Sequence, residues 1–478
     1  MSLLRLMAVA LGLAQLSACN LVPFYRKPAV EMPVTWKLEG PWRVGMPSDG
    51  VPKGAWWKRF GDTQLDALME KSLAASPTLA AANARLAQAK ALATAAAAGM
   101  YPQVNFSPRA SNERISANRP LTKYGSPNFS TRQDNFVLSL GVAYEADLFG
   151  RVQNTIDGAR ASAEQSAADL ENTRLLITAD LAAAYFNLRQ IDTETDVLTR
   201  SIGLQKRSLE FVTSRHDLGA ASGLDLAQQQ ALIDNTLTQL DLLRRQRAQF
   251  ENAVATLTGT PAPLFSLAPE GKRAEPPPIP IGVPSDILER RPDVAAAERA
   301  MAAANSQIGI ANAAFYPSIV LGPSIGVQST RVSTLFDSPS IIWSLGVSAL
   351  QPVFNAGRLQ ANVDFAKGGY DLTVANYRRV VLTAMQEVED GITGTVALDS
   401  AYRQAQVAIN SARKVLDLAT ARYEGGVATY LDVITAQQAL LNAERQASQL
   451  QGQRLLIAVF LVKALGGDWQ GVGKVAGH

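Results

Sequence analysis

A chain of 478 residues with 47% hydrophobic residues has room for roughly two to four ordinary domains and enough apolar content for a packed core, so it is not a disordered chain. Its 45 basic and 42 acidic residues leave a net charge of +3 with no basic run, which argues against nucleic acid as a partner. One cysteine excludes an internal disulfide, and beyond residue 18 no apolar run reaches the length of a transmembrane helix, so any membrane crossing by the mature chain falls to β-strands.

Residues 1–18 carry Arg5, an apolar run from Leu6 to Leu16 and then small Ser17 and Ala18, the layout of a secretory signal with its cleavage region. That run is too short to span a bilayer. Leu16-Ser17-Ala18-Cys19 resembles the bacterial lipobox, which implies that Cys19 carries a covalent lipid (palmitate) and begins the mature chain. Asn20 stands where an Asp would resemble an inner-membrane retention signal, so outer-membrane sorting is expected. Residues 19–60 hold four of the six Trp and six prolines, and predict an extended arm packed by aromatics against helices.

The remainder is two copies of one plan. The stretch from Ser76 through Tyr101-Pro102 parallels that from Arg291 through Tyr316-Pro317, Leu138 to Arg151 parallels Trp343 to Arg358, and Arg215 to Leu226 parallels Arg422 to Val433, with Gly259 matching Gly466. The first repeat is expected over 61–260 and the second over 285–466. A linker with eight prolines, 261–284, separates them, and 467–478 is a tail. The interval from Pro102 to Ser139 is 37 residues, against 27 from Pro317 to Ser344, as lengths differ at exposed loops.

In each copy the Ala-rich stretches 78–98 and 293–313 predict helices, and Tyr-Pro ends them because the residue before proline leaves the α region. The period then becomes two, predicting β-hairpins at about 102–148 and 317–354. Phe136, Leu138, Leu140, Val142 and Tyr144 form one face of a strand, as do Ile319, Leu321, Ile325 and Val327, while Ser324, Gly326 and Gln328 lie on a small, mostly polar face. From Arg151 to about Ser214 and from Arg358 to about Tyr423 no proline interrupts helix-forming sequence, so each helix would run on the order of 95 Å. Gly219 and Gly223, and Gly425 and Gly426, are expected to turn the chain, with Arg215, His216 and Arg422 favouring the helix dipole. Return helices follow over Leu224 to Leu257 and Leu431 to Leu465.

Each copy is thus a long helical hairpin plus a β-hairpin, an α+β membrane protein with a two-fold internal repeat. Two β-hairpins make four strands, too few to close a barrel, yet in lipid every strand edge must be paired. Several chains must therefore pool their strands, and the small, polar inner face would leave the lumen open to water.

Over nearly the whole mature length the chain resembles the TolC-like outer-membrane efflux proteins, most closely the lipoprotein branch associated with RND-type drug and metal pumps. The resemblance rests on the lipobox, Tyr25 to Pro28, the run from Val283 to Glu298 with its Glu-Arg-Arg-Pro-Asp, Ala314 to Ser318, and Arg422 to Val433. It implies a homotrimer with a twelve-strand β-barrel in outer-membrane lipid, continuous with a twelve-helix periplasmic tunnel. It also implies docking through a periplasmic adaptor onto an inner-membrane RND transporter.

Asp432, and Asp225 at the matching place in the first copy, are candidate gate residues: in a trimer each makes a ring of three carboxylates that attracts cations and repels anions. The resemblance places acidic residues of this region at the closed aperture, with Thr435 where some relatives have a second. The alternative is that these carboxylates only stabilise helix N-termini, a role that weighs more heavily for Asp225 than for Asp432. Leu218, Gly219 and Ala220, with Gly425, Gly426 and Val427, match turns that receive adaptor tips in relatives. Trp343 and Tyr144 are candidates for an interfacial aromatic girdle or for plain packing. Gly322 to Gly326 fits G-x-S-x-G, but that elbow needs a strand-to-helix turn and a histidine partner, so no enzyme is expected. No metal cluster or cofactor motif is apparent, which leaves a passive duct for small toxic compounds, drugs or metal ions. The alternatives are a type I protein-secretion exit duct and a non-conducting envelope scaffold.

Overall fold

Proline and glycine punctuate the chain, and the computed structural model, which describes residues 22, 23, 25, 54–116, 131–270, 274–279 and 290–467, places element boundaries at them. The signal segment, Cys19, most of the 19–60 arm, part of the linker and the tail from residue 468 lie outside the described residues. Helix α1 (Thr63–Ala75) begins at Asp62, whose carboxylate accepts the N–H groups of Gln64 and Leu65 at 3.0 Å each. Pro77 opens α2 (Pro77–Ala97), where its missing N–H would be unpaired in any case. After β1 (Gln103–Ile115) and β2 (Thr131–Ala146) come α3 (Arg151–Asp217) and α4 (Gly223–Leu257). The second copy follows as α5 (Pro292–Ala313), β3 (Ser318–Leu321), β4 (Ser324–Ser329), β5 (Ile341–Ser344), β6 (Val347–Leu350), α6 (Arg358–Glu424) and α7 (Tyr430–Ala464). Helices α3 and α6 are both 67 residues long, and α4 and α7 both 35. They correspond at a constant offset of 207 residues, from Arg151 and Arg358 to Gly259 and Gly466.

The chain divides into two compact units, one of Met1–Pro28, Leu86–Gln165 and Ala297–Tyr377, the other of Ala29–Arg85, Ser166–Ala296 and Arg378–His478. The first holds the antiparallel sheet. Its strand order is β5-β4-β2-β3-β6, with β1 on the other side of β2. Each expected strand of the second copy is broken in two, because Pro323 lacks an N–H and Gly322 precedes it. The register nevertheless runs through the breaks: Tyr144 faces Leu321 and Leu140 faces Ile325, while the Val142 N–H donates to the Pro323 carbonyl at 2.9 Å. The sheet is therefore four ribbons wide. Among the described residues, β1 and the β5/β6 ribbon each have one edge without a strand partner.

Side-chain parity sorts the sheet into rows. Phe106, Leu140, Ile325 and Trp343 align on one face, and Asn105, Gly141, Ser324 and Ser344 on the other. The apolar row is exposed at every position, Trp343 at 75%. An apolar sheet face open to the surroundings marks an interaction surface. No helix among the described residues is long and apolar enough to cross a membrane. Also in this unit, Val22, Pro23 and Tyr25 lie along α5: Asn305 Nδ2 donates to the Pro23 carbonyl at 3.1 Å and the Tyr25 hydroxyl to the Glu298 carbonyl at 3.3 Å. Burial pushes the Tyr25 pKa up to about 12.

In the second unit, residues 56–60 of the arm form a 3-10 turn rather than the extended segment expected, and Trp56, Trp57 and Phe60 are buried there. They pack with Leu65 and Met69 of α1, Tyr185 and Phe186 of α3, and Val459 and Val462 of α7. Trp56 Nε1 donates to Thr178 Oγ1 at 3.3 Å, which fixes the ring's polar edge. The specific Arg-Arg-Pro-Asp motif has a structural role. Arg291 is buried, grips Asp293 with two N–H groups at 3.0 and 2.7 Å, reaches Glu387 at 2.6 Å, and donates to the Ala464 carbonyl at the end of α7.

Candidate functional site

The candidate gate and adaptor residues gather in the second unit, where α3 turns into α4 and α6 into α7, whereas Tyr144 and Trp343 lie on the sheet of the first. Both turns are Schellman motifs. The Ala220 N–H bonds the Arg215 carbonyl at 2.7 Å and the Gly219 N–H the His216 carbonyl at 2.8 Å; Val427 to Arg422 and Gly426 to Tyr423 repeat the pair at 3.0 Å each. Gly219 (φ 74°) and Gly426 (φ 73°) hold the left-handed position. The expectation that Gly223 helps to turn the chain is corrected, since it is the first residue of α4. Gly425 does lie in its turn, directly after α6, but bonds the Ala421 carbonyl in ordinary backbone and leaves the one left-handed position to Gly426. A Cβ built on Gly219 or Gly426 meets nothing within 4 Å, so both turns present open backbone, flanked by exposed Leu218 and Val427.

Asp225 and Asp432 both stand at the third position of their helices. Asp225 accepts the Ser222 N–H at 3.0 Å while its own N–H donates to Ser222 Oγ at 3.2 Å, a reciprocal capping box. Asp432 accepts both the Thr429 N–H, at 3.1 Å, and the Thr429 hydroxyl, at 3.0 Å. The helix-terminus role is therefore in place for each carboxylate. Asp432 is also exposed, and Asp225 half-buried, so both remain available to ions. The Thr435 hydroxyl turns back onto the Leu431 carbonyl at 2.9 Å.

Sequence reasoning missed the aromatic bridge between the hairpins. The Arg215 guanidinium, read as a dipole partner, lies 4.9 Å from the Tyr423 ring centroid and donates to the Tyr423 carbonyl at 3.4 Å. The Tyr423 and Tyr430 rings meet at 5.0 Å, and the Tyr430 hydroxyl donates to Gln229 Oε1 at 2.9 Å in a buried contact. Burial, then the neighbouring Tyr423 and Asp225, raise the Tyr430 pKa well above the ordinary phenol range. The only available signal was two tyrosines seven residues apart around the second turn. Ser324 opens β4 and pairs its hydroxyl with Ser344 at 2.8 Å, so the G-x-S-x-G match lies in a strand and makes no nucleophile elbow.

A family model described as outer membrane efflux protein matches residues 68–260 and 283–467. The chain is 31% identical over 456 residues to the pyoverdine export outer membrane protein OpmQ of Pseudomonas aeruginosa, covering 95% of each. It is 30% identical over 480 residues to the toluene efflux pump outer membrane protein TtgF of Pseudomonas putida, covering 98% of each. The solved outer-membrane channel OprN superposes with a TM-score of 0.86 at 27% identity, over 95% of this chain and 100% of that one. With the four-ribbon sheet and the duplicated helical hairpins, these likenesses make the chain a member of the outer membrane efflux protein family.

Proposed function

We propose that this protein is the exit duct of a tripartite RND-type efflux system, a passive trimeric channel that carries small toxic compounds, drugs or metal ions, through the periplasm and outer membrane. The observation that carries it is the sheet: four ribbons, one apolar face and, among the described residues, two edges without a strand partner. Three copies supply twelve strands and close the edges. Helix α6 supports self-association, because in the second unit it has two apolar sides. Val381, Val388 and Ile392 are buried within the chain, whereas Val396, Val407 and Leu418, spaced by 11 residues or three turns, line an exposed stripe. Replacing Val407 with Lys would force a charge into that seam at a cost of at least about 2 kcal/mol per contact. Sedimentation in detergent should then show trimers lost to single chains, and an unchanged trimer would oppose this use of the stripe.

In this reading Cys19 carries the lipid anchor, the turns around Gly219 and Gly426 receive the adaptor, and rings of Asp432 and Asp225 line the periplasmic aperture. Energy comes from the inner-membrane transporter. Conductance in planar bilayers tests the duct: wild-type protein should pass small gated currents that grow in Asp432→Ala. Asp432→Asn, which keeps an acceptor for the Thr429 N–H, should instead lower cation-over-anion permeability by about threefold. A trimer that passes no current in any variant would contradict the duct and favour a scaffold.

A further inference from the structure

The two hairpins carry one ion pair in duplicate. In the first, Arg247 Nε donates to Asp192 Oδ1 at 2.6 Å; in the second, Arg454 Nε donates to Asp399 Oδ1, also at 2.6 Å. The four residues obey the 207-residue offset, so both pairs sit at one level, 22 residues beyond Asp225 and Asp432. At 1.5 Å per residue that level is about 33 Å along the helices from the turns.

The linker between the repeats is fastened at the same level. Arg247 Nη2 donates to the Leu267 carbonyl at 2.6 Å, the Leu267 N–H to Glu251 at 2.6 Å, Arg189 to the Ala268 carbonyl at 2.9 Å, and the Glu270 N–H to Asp192 at 3.2 Å. Farther along, Gln451 donates to the Ala274 carbonyl at 2.5 Å and Arg454 pairs with Glu275 at 3.2 Å. One segment is thus held by α3 and α4 through Asp192 and Arg247, and by α7 through Arg454, which also grips α6 at Asp399.

The two clasps differ in exposure. Asp192 is 2% exposed and Arg247 16%, whereas Arg454 at 14% faces Asp399 at 42% and Glu275 at 66%. The two arginines are alike, but the carboxylates of the second clasp face water and Asp192 does not, so the second is the weaker and the more strongly screened.

We propose that Arg454 is a positioning residue for the gate: with Asp399 and Glu275 it forms the looser of two clasps by which the inter-repeat linker holds both hairpins in register, and its strength sets how tightly the distant turns stay together. This rests on the reading of those turns as a gate. The lever is long. About 5° of slack at the clasp displaces a helix end about 33 Å away by about 3 Å, comparable to a hydrogen bond's length.

The test compares leak conductance in planar bilayers for the full-length wild type, Arg454→Gln, Glu275→Gln and Asp432→Ala, each normalised to bulk conductivity at 0.1 M and 1 M KCl. Arg454→Gln should leak about threefold more than wild type at 0.1 M, the shift that a partly exposed ion pair supports. Its normalised leak should no longer respond to salt, while wild-type leak should rise toward it at 1 M as the pairs are screened. A residue that only braces the fold would not remove the salt response. Glu275→Gln, at an exposed position that leaves the helices intact, should give a smaller rise in the same direction and carries the test if Arg454→Gln does not assemble. Increased leak in Asp432→Ala with wild-type leak and salt response in both clasp variants would overturn the proposal and leave the gate standing. Wild-type leak in all three would overturn the gate reading, and the clasp's role with it.

Discussion

Gly259→Ala and Gly466→Ala are each expected to destabilise the second unit by about 3 kcal/mol, against about 1 kcal/mol for Gly219→Ala and Gly426→Ala. All four glycines close a long helix with the same motif and the same left-handed backbone, at φ between 67° and 86°. Backbone conformation alone therefore assigns them equal costs. Their surroundings do not. A Cβ on Gly259 would lie 2.5 Å from the Ala75 carbonyl oxygen, and one on Gly466 would lie 2.7 Å from that of Arg290. A backbone carbonyl cannot rotate aside as a side chain does, so overpacking of roughly 1–3 kcal/mol adds to the roughly 1–2 kcal/mol of left-handed strain. Nothing lies within 4 Å of a Cβ on Gly219 or Gly426, and only the strain remains. Urea unfolding followed by tryptophan fluorescence reads this directly, since Trp56 and Trp57 are buried in the core of that unit. Equal losses in all four variants would contradict the distinction between a closed and an open turn.

Removing Arg291 is the second large effect. Arg291→Ala is expected to cost about 3 kcal/mol or more, because it strips Asp293 and Glu387 of a shared partner and leaves the Ala464 carbonyl without its donor. The Arg291 side chain is only 7% exposed and its carboxylates about a quarter, so water replaces little of what is lost. Arg299→Ala makes the contrast. Its pair with Glu164 is nearly half exposed on both sides, and its loss should stay within about 0.5 kcal/mol. Similar melting shifts for the two variants would show that Arg291 is not the clamp described.

What the sequence disclosed and what it hid divide along the distance between interacting residues. Helix ends were legible because proline and glycine act on their own backbone: the stops at Tyr101-Pro102 and Tyr316-Pro317 and the turns at Gly219 and Gly426 need no partner elsewhere. Strand faces were legible for a similar reason, since alternation in Phe136 to Tyr144 carries its own parity. The break at Pro323 is also local, and reading it as continuous strand overlooked the missing N–H. Partners remote in the chain were not legible. Arg291 belongs to the most specific motif of the sequence, yet beyond neighbouring Asp293 its contacts lie 96 and 173 residues away. Arg215 was assigned to the nearest helix dipole, while its aromatic partner is 208 residues distant. The Asp192–Arg247 and Asp399–Arg454 pairs lay in the repeat itself, but only a fixed offset and a known helix register bring them opposite one another. For Asp225 and Asp432 two roles were open, and the caps they form fill one without displacing the other.

Counting the chains in a conducting particle tests the account at its root. Native mass spectrometry of the detergent-extracted protein, on the same preparation that is inserted into planar bilayers, should find three chains per particle together with gated currents. A folded, membrane-inserted particle containing one chain would mean that four ribbons close their own edges, and would contradict it.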